Sequence, residues 1–186
     1  MKEIRMVDLK GQYDRIKSEI DPAIQSVINS TAFIRGPEVS AFEDELAAYT
    51  GTGNVISCAN GTDALQVAMM ALDLKPGDEV ISTNFTFIAT VEVIALLGLK
   101  PVFVEPEPDT FNISPEAIEK AISPRTRAII PVHLFGQSAD MEEIIRIARK
   151  YNLYIIEDAA QALGTEYIFS DGSRKKAGTI GDIGCT

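Results

Sequence analysis

Two patterns of apolar and polar positions alternate along the chain. Apolar residues recur at helical spacing in six segments, which cover residues 13–30, 36–51, 61–74, 87–98, 114–122 and 139–152. Short apolar runs lie between or after these segments, at residues 54–58, 79–83, 100–105, 127–136 and 153–158. These runs are continuously apolar rather than alternating, which is typical of strands that are covered on both faces. The order of strands and helices predicts an α/β fold with right-handed crossovers.

Local signals set several of the predicted helix boundaries. Pro22 falls inside the first helical segment and predicts an interruption or a restart there. Gly51 and Gly98 each follow a helical pattern and predict its end. Ser114 is predicted as an N-cap, with Pro115 in the first turn of the helix that follows.

Composition and charge narrow the class of protein. The chain has 186 residues and a net charge of −10, and it carries no basic stripe of the kind that binds nucleic acid. Its one tight basic cluster, residues 173–176, lies in a turn-rich stretch that predicts solvated surface. No apolar segment is long enough to span a bilayer, and the charged residues 1–17 lack the apolar core of a signal peptide. We therefore expect a cytoplasmic protein.

Cysteine and histidine are scarce. Cys58 and Cys185 are far apart and show no metal-ligand spacing, so we expect both to fill small apolar sites in a reducing cytosol. His133 is the sole histidine, which leaves almost no material for a histidine-based zinc site or a serine–histidine triad. We expect no metal site.

Ligands of parallel α/β sheets bind beyond the carboxyl ends of the strands, so the residues that follow each predicted strand carry the functional argument. After the first run comes Ala59-Asn60-Gly61-Thr62-Asp63, which leads into a helix. Glycine and the free N–H groups of a helix start suit a phosphate. The alternative is a plain capped turn, with Thr62 or Asp63 as the cap. The glycine patterns of a P-loop or a dinucleotide site are missing.

Two further strand ends carry chemistry. Phe85 and Phe87 follow the 79–83 run, where they either stack on a flat ligand or pack in the core. Glu157 and Asp158 end the 153–158 run, and a carboxylate there could hold a protonated ring nitrogen. The alternatives are a salt bridge or an N-cap for a helix at 159–164. Taken together, a phosphate seat, an aromatic and a carboxylate on successive strand ends would suit pyridoxal phosphate.

Several motifs resemble one known family. They read "ANGTDAL", "GDEVI…FTFIAT…LLGLKPVFVE", "ISPRTRAIIPVHLFGQSADM", "IIEDAAQALG" and "GTIGDIGCT", in this order over the whole chain. The chain resembles the DegT/DnrJ/EryC1/StrS sugar aminotransferases, and most of all those that aminate UDP-linked 3-keto-N-acetylglucosaminuronic acid. The resemblance implies the large pyridoxal phosphate-binding domain of fold type I, a three-layer sandwich around a mostly parallel mixed sheet.

The resemblance also implies roles for individual residues. Gly61 and Thr62 would bind the cofactor phosphate, and Phe87 would stack on the pyridine ring. Asp158 would be the catalytic partner of the ring nitrogen, and Gln161 would lie by the phenolic oxygen. By the same resemblance Phe85 is expected in the core, and Glu157 and His133 have no catalytic role. Residues 33–39 resemble a segment near the substrate entrance.

Three features of the family are missing from these 186 residues. The Schiff-base lysine would lie about half a dozen residues past Thr186, and a phosphate-binding serine and the carboxyl-terminal domain are also missing. Lys175 and Lys176 precede the Gly-Asp of this motif and are expected to be surface charges on a hairpin. We expect residues 1–30 to form an arm and helix, residues 31–186 to form an incomplete cofactor-binding domain, and the chain to be inactive alone.

The activity implied is transfer of an amino group, with glutamate as donor, to a UDP- or dTDP-linked keto sugar by a homodimer. Its context would be the synthesis of amino sugars or surface polysaccharide. Two alternatives stay open. One is a pyridoxal phosphate-dependent sugar dehydratase of the same family, with histidine in place of the lysine. The other is a non-catalytic short form that binds a partner.

Overall fold

A computed structural model describes residues 6–186 of the chain. These residues divide into two compact units, with the boundary between Leu46 and Ala47. The first five residues, which belong to the expected N-terminal arm, lie outside the described part. The expected domain boundary at residue 30 stays a prediction.

The first unit consists of helix α1 (Leu9–Ser30) and the greater part of α2 (Pro37–Thr50). The side chain of Asp8 caps α1 by accepting a hydrogen bond of 3.0 Å from the N–H of Gly11. The helix runs without a break through Pro22, so the predicted interruption there is wrong. Proline removes one helical hydrogen bond, but Pro22 is exposed and water can solvate the carbonyl that is left free.

The second unit is built on parallel strands. The strands are β1 (Glu79–Thr83), β2 (Lys100–Val104), β3 (Thr126–Ile130), β4 (Tyr154–Asp158), β5 (Glu166–Ile168), β6 (Arg174–Lys176) and β7 (Ile183–Cys185). Five of them form one sheet in the order β2-β1-β3-β4-β7, with parallel pairing throughout. The strands β5 and β6 form a separate antiparallel hairpin, which confirms the hairpin predicted around Lys175 and Lys176.

Helices cover both faces of the five-stranded sheet. They are α3 (Gly61–Ala71), α4 (Ala89–Leu96), α5 (Pro115–Ala121) and α6 (Met141–Tyr151). One apolar cluster joins α3 and α4 to one face of the sheet, and a second joins α5 and α6 to the other. Neighbouring residues of β4 show the division, since Ile156 belongs to the first cluster and Ile155 to the second. The predicted three-layer α/β sandwich is confirmed.

Several predicted boundaries are also confirmed. The side chain of Ser114 caps α5, and Pro115 is its first residue. Gly51 and Gly98 follow α2 and α4 with φ of 79° and 71°, values that favour glycine. Strand β4 ends at Asp158, as the apolar run predicts.

The predicted strand at residues 54–58 is wrong. This segment pairs with none of the described strands, and Ile56 is 80% exposed. An apolar run forms a strand only where a neighbouring strand accepts its hydrogen bonds. Cys58 at its end is exposed, so the expectation that it fills an apolar site is also wrong.

Cys185, by contrast, is buried on β7 as expected. Burial, with a smaller contribution from the nearby Asp158 carboxylate, raises the pKa of the Cys185 thiol to about 12. The thiol therefore stays protonated at neutral pH and packs as a small apolar group.

Within residues 6–186, none of the helices combines the length and the apolar character that crossing a membrane requires.

Candidate functional site

Asp158 is the buried carboxylate at the carboxyl end of β4. Its side chain is 7% exposed, and its Oδ2 accepts a hydrogen bond of 2.7 Å from Oγ1 of Thr90. The second oxygen, Oδ1, accepts a longer hydrogen bond of 3.3 Å from the N–H of Ala160. One oxygen of the Asp158 carboxylate is therefore fixed by a short hydrogen bond, and the other accepts a longer and weaker one.

Thr90 contacts the candidate site residue Asp158 and is not predicted from the sequence. It lies in α4, is fully buried, and forms a second hydroxyl contact of 3.0 Å with Thr86. The available signal was a hydroxyl residue within a strongly apolar helix, where a buried polar group needs a partner. The contact fixes the position of the Asp158 carboxylate relative to α4.

Phe87 lies one turn before Thr90, and its carbonyl accepts the N–H of Thr90 at 3.2 Å. Its ring is 70% exposed, so it is free to contact a ligand. Phe85 is half-exposed and packs against Phe111 with 5.4 Å between ring centroids. The expectation that Phe85 lies in the core is therefore wrong.

The start of α3 offers backbone N–H groups. The side chain of Asn60 caps this helix by accepting a 2.9 Å hydrogen bond from the N–H of Asp63. The cap is thus Asn60, and the alternatives of Thr62 or Asp63 as cap are wrong. Gly61 and Thr62 come before the first turn closes, so their N–H groups have no acceptor within the helix. The positive end of the helix favours an anion there.

Strand β7 brings a further segment to the same strand ends. Cys185 is in register with Asp158, and its carbonyl accepts the N–H of Ala159 at 2.7 Å. A Cβ placed on Gly61 would lie 3.8 Å from the carbonyl oxygen of Thr186. The end of β7 therefore lies between the Asp158 strand and the start of α3.

Gln161 lies in the turn that follows β4. Its Oε1 accepts a hydrogen bond of 2.8 Å from the N–H of Phe135, whose φ of 56° is in the left-handed region. The described contacts tie Gln161 to the turn after β3 and do not join it to Asp158 directly. Residues 159–164 form turns rather than a helix, so an N-cap role for Glu157 or Asp158 there is wrong.

Glu157 is fully buried and lies 2.9 Å from Nε2 of His133, as in the salt-bridge alternative, while its lack of a catalytic role stays a prediction. Its carboxylate accepts hydrogen bonds from Nε2 of His133 and from the N–H groups of Gly178, Ile180 and Gly181. Burial works to raise the pKa of Glu157, but the hydrogen bonds from His133 and the backbone outweigh it and leave the pKa below its usual value.

The donor set fits a planar phosphorylated ring that carries a basic nitrogen. A buried carboxylate suits a cationic nitrogen, the start of α3 suits a phosphate, and the exposed ring of Phe87 suits stacking. Pyridoxal phosphate has all three features. Thr90 and Asp158 are in direct hydrogen-bond contact, and Gly61 lies close to Thr186 at the end of β7.

Comparison with known proteins supports the same interpretation. The chain is 50% identical to the UDP-2-acetamido-2-deoxy-3-oxo-D-glucuronate aminotransferase of Pseudomonas aeruginosa, over 98% of this chain and 50% of that protein. A DegT DnrJ EryC1 StrS aminotransferase from Brucella abortus superposes with a TM-score of 0.91 at 42% identity, over 98% of this chain and 49% of that one. NtdA from Bacillus subtilis, solved with its bound cofactor PMP, gives a TM-score of 0.79 at 39% identity, over 88% of this chain and 38% of that one.

The chain spans about half the length of the relatives it matches. Residues 14–186, which are nearly the whole chain, match the model of the DegT/DnrJ/EryC1/StrS aminotransferase family. The sheet, the helices on both of its faces and the identity to solved members agree with that match. This chain therefore belongs to the DegT/DnrJ/EryC1/StrS aminotransferase family.

Proposed function

We propose that these residues bind pyridoxal phosphate in a protein that transfers an amino group to a nucleotide-linked keto sugar. The observation that carries the proposal is the buried Asp158 carboxylate, which Thr90 holds at the end of β4. A buried carboxylate of this kind is favourable only where a partner uses its charge.

In this proposal Asp158 pairs with the pyridine nitrogen and keeps it protonated. An opposite charge in a low-dielectric site stabilises the protonated form of a base, and Asp158 is shielded from water by its burial. When bound, the cofactor supplies an electron-poor ring that takes up negative charge from the reacting carbon. The hydroxyl of Thr90 keeps Oδ2 in place, so that Oδ1 is the oxygen with capacity for the ring N–H.

The remaining cofactor contacts come from the start of α3, the segment after β1 and the turn after β4. The N–H groups of Gly61 and Thr62 bind the phosphate at the start of α3. The exposed ring of Phe87 stacks on the pyridine ring. Gln161 lies by the phenolic oxygen, to which its amide N–H can donate while its Oε1 stays bonded to Phe135.

The substrate class follows from similarity rather than from a contact in the structure. Identity of 50% to an aminotransferase of a UDP-linked 3-oxo uronic acid supports a UDP-linked keto sugar as acceptor, with a dTDP-linked sugar as the alternative. We further propose glutamate as the amino donor, a homodimer as the assembly, and a cytoplasmic location. Residues 31–186 are proposed as part of the cofactor domain, with residues 1–30 as an arm and helix.

Neither lysine of the β5–β6 hairpin is proposed as the lysine that holds the cofactor. Lys176 is bonded to the backbone carbonyl of Tyr49 and lies over its ring, with 3.5 Å between Nζ and the ring centroid. Lys175 is exposed on the neighbouring position of β6.

Binding of pyridoxamine phosphate tests this proposal without the need for a covalent lysine. Asp158→Asn keeps an oxygen for Thr90 but loses the charge. It should weaken binding about ten- to hundredfold, which corresponds to about 1.5–3 kcal/mol for a charge-assisted hydrogen bond. Asp171→Asn, the same change on the exposed hairpin turn, is the matched control and should bind as the wild type does. Equal affinity of Asp158→Asn and wild type, by fluorescence titration, would overturn the proposal.

A further inference from the structure

The fully buried carboxylate of Glu157 is the centre of a hydrogen-bond cluster next to the candidate cofactor site. Its Oε1 accepts the N–H groups of Ile180 and Gly181, both at 2.6 Å. Its Oε2 accepts the N–H of Gly178 and Nε2 of His133, both at 2.9 Å. Glu157 thus satisfies three backbone donors of one short turn, and a buried carboxylate with this many donors stays ionised.

His133, in the segment that follows β3, forms a hydrogen bond with Glu157. Its Nδ1 accepts the N–H of Ala139 at 3.1 Å, so in the neutral ring the proton is on Nε2 and points at Glu157. Both side chains are fully buried. The pair therefore joins the segment after β3 to the end of β4 by a contact that has a defined donor and acceptor.

The turn that Glu157 holds is the entry to β7, and it has little freedom. A Cβ on Gly184 would lie 1.9 Å from the carbonyl oxygen of Gly178, and one on Gly181 would lie 2.8 Å from the carbonyl oxygen of Ile155. Asp182 adds a further clamp, since its Oδ2 accepts the N–H of Ile155 at 2.7 Å. Segment 178–184 is therefore packed closely against itself at Gly178 and Gly184 and against β4 at Gly181 and Asp182.

The position of this turn determines where β7 ends. The strand pairs Gly184 with Glu157 and Cys185 with Asp158, and Thr186 then approaches Gly61. A shift of one residue in this register would reverse the side-chain faces of β7 and move the chain away from both groups. The contacts of Glu157 fix that register directly, because they lie on the turn just before the strand.

The geometry points to a positioning role: the Glu157–His133 pair anchors residues 178–181, and the anchor sets β7 between Asp158 and the phosphate-binding start of α3. The inference rests on the proposed cofactor site and names two further residues that act through it. In this role Glu157 and His133 act through the backbone of residues 178–181. They fix the backbone that lies beside the proposed cofactor-binding groups.

Two measurements on one variant test the inference. Glu157→Gln is nearly isosteric but replaces one acceptor oxygen by an N–H₂ group that faces other donors. Amide hydrogen exchange at Gly178, Ile180 and Gly181 should speed up by about tenfold or more, because the loss of a buried charged acceptor favours local opening. The affinity for pyridoxamine phosphate should fall in the same variant by about fivefold or more, since a displaced β7 no longer supports the site.

Control variants separate this inference from a general loss of stability. Glu116→Gln, on the exposed surface of α5, should change neither measurement. Asp158→Asn should lower the affinity while the exchange at residues 178–181 stays as in the wild type. If Glu157→Gln does not fold, the same two measurements are made on His133→Gln and His133→Leu. The first keeps an N–H donor for Glu157 and should preserve the slow exchange, whereas the second removes that donor and should not.

The outcomes distinguish the inference from the proposed function. Unchanged exchange in Glu157→Gln, or faster exchange with unchanged affinity, would overturn the positioning role. If Asp158→Asn binds normally while Glu157→Gln shows both changes, the anchor stands and the assigned role of Asp158 fails. Faster exchange and weaker binding in Glu157→Gln, with weaker binding alone in Asp158→Asn, would support both.

Discussion

The carboxylate of Asp158 is held from the side, by a hydroxyl of α4, rather than by the backbone of its own strand. The 2.7 Å contact from Thr90 occupies one oxygen and fixes the plane of the group. Because both residues are buried, the contact lies in a medium where an unpaired polar atom is costly. Thr90 therefore matters both to the fold and to the direction in which the other oxygen of Asp158, Oδ1, points.

Thr90→Val should separate the hydroxyl from the shape of the side chain. Valine fills the same volume but leaves Oδ2 of Asp158 without its donor, so we expect a loss of about 1–3 kcal/mol in the free energy of unfolding. Thr90→Ser keeps the donor and removes only a methyl group, with an expected loss of about 1 kcal/mol. Urea unfolding of the two variants checks the difference. Equal stability of Thr90→Val and wild type would show that the hydrogen bond contributes little.

The sequence was sufficient to predict Asp158, because an apolar run that ends in a carboxylate places it at a strand end. The sequence does not predict the roles of Thr90 and Asn60. Thr90 contacts Asp158, which is 68 positions away, and the local sequence pattern does not show that these two residues meet. Asn60 was missed as the cap because three neighbouring residues all have side chains that can cap a helix. The four hydrogen bonds that Glu157 accepts come from distant parts of the chain, so the sequence does not predict them.

Among the elements, β7 depends most on close backbone approach. Gly184 has no space for a side chain, since a Cβ there would lie 1.9 Å from the backbone of Gly178. The strand must therefore move before any larger residue fits, and its pairing with Glu157 and Asp158 would move with it.

Gly184→Ala should consequently destabilise the second unit by about 2 kcal/mol or more, as expected for overpacking against backbone. Gly53→Ala is the matched control, because no atom lies within 4 Å of the position that its Cβ would take. Thermal unfolding of both variants gives the comparison. A Gly184→Ala variant as stable as Gly53→Ala would contradict the packing described for β7.

The helices and strands that the sequence does not predict correctly depend on their surroundings, which a local pattern does not show. Helices and strands with strong patterns were predicted correctly, as β1 and α6 show. Pro22 predicts a break that is not present, because the sequence pattern does not show whether the carbonyl that proline leaves without a donor is solvated. Residues 54–58 have the pattern of a strand but do not form one, because an apolar run does not show whether a neighbouring strand is present to pair with it.

Across the molecule, the two ends of the sheet carry buried carboxylates with different partners. At the amino end of β1, Glu79 accepts hydrogen bonds from Ser123, from Nη2 of Arg125 at 2.7 Å and from Lys100 at 3.2 Å. The bonds from Ser123 and then from Arg125 lower the pKa of Glu79 to about 2. This cluster lies at the amino ends of the strands, opposite to the candidate site, and is not part of that site.

The lowered pKa of Glu79 predicts sensitivity to acid. The ordinary pKa of a glutamate, about 4.3, applies in the unfolded chain, so the stabilising contribution is fully present above that pH. It is lost as the pH falls toward the folded-state pKa of about 2. Glu157 adds to the loss in the same direction, because its pKa is also lowered in the folded state.

Glu79→Gln should therefore be less stable than wild type at pH 7 and should lose less additional stability between pH 5 and pH 3. The control is Glu45→Gln on the exposed surface of α2, which should follow the wild-type pH profile. Urea midpoints measured at several pH values give the comparison. A Glu79→Gln profile parallel to that of wild type would contradict the assignment of acid sensitivity to this cluster.

The protonation state of the cofactor's ring nitrogen gives the most direct test of the site as a whole. Pyridoxamine phosphate labelled with ¹⁵N in the ring can be bound to the protein and observed by NMR. We expect the chemical shift and one-bond N–H coupling of a protonated nitrogen at neutral pH, and their loss in Asp158→Asn. An unprotonated nitrogen in the wild type, or a protonated one that is unchanged in Asp158→Asn, would contradict the pairing of Asp158 with the ring.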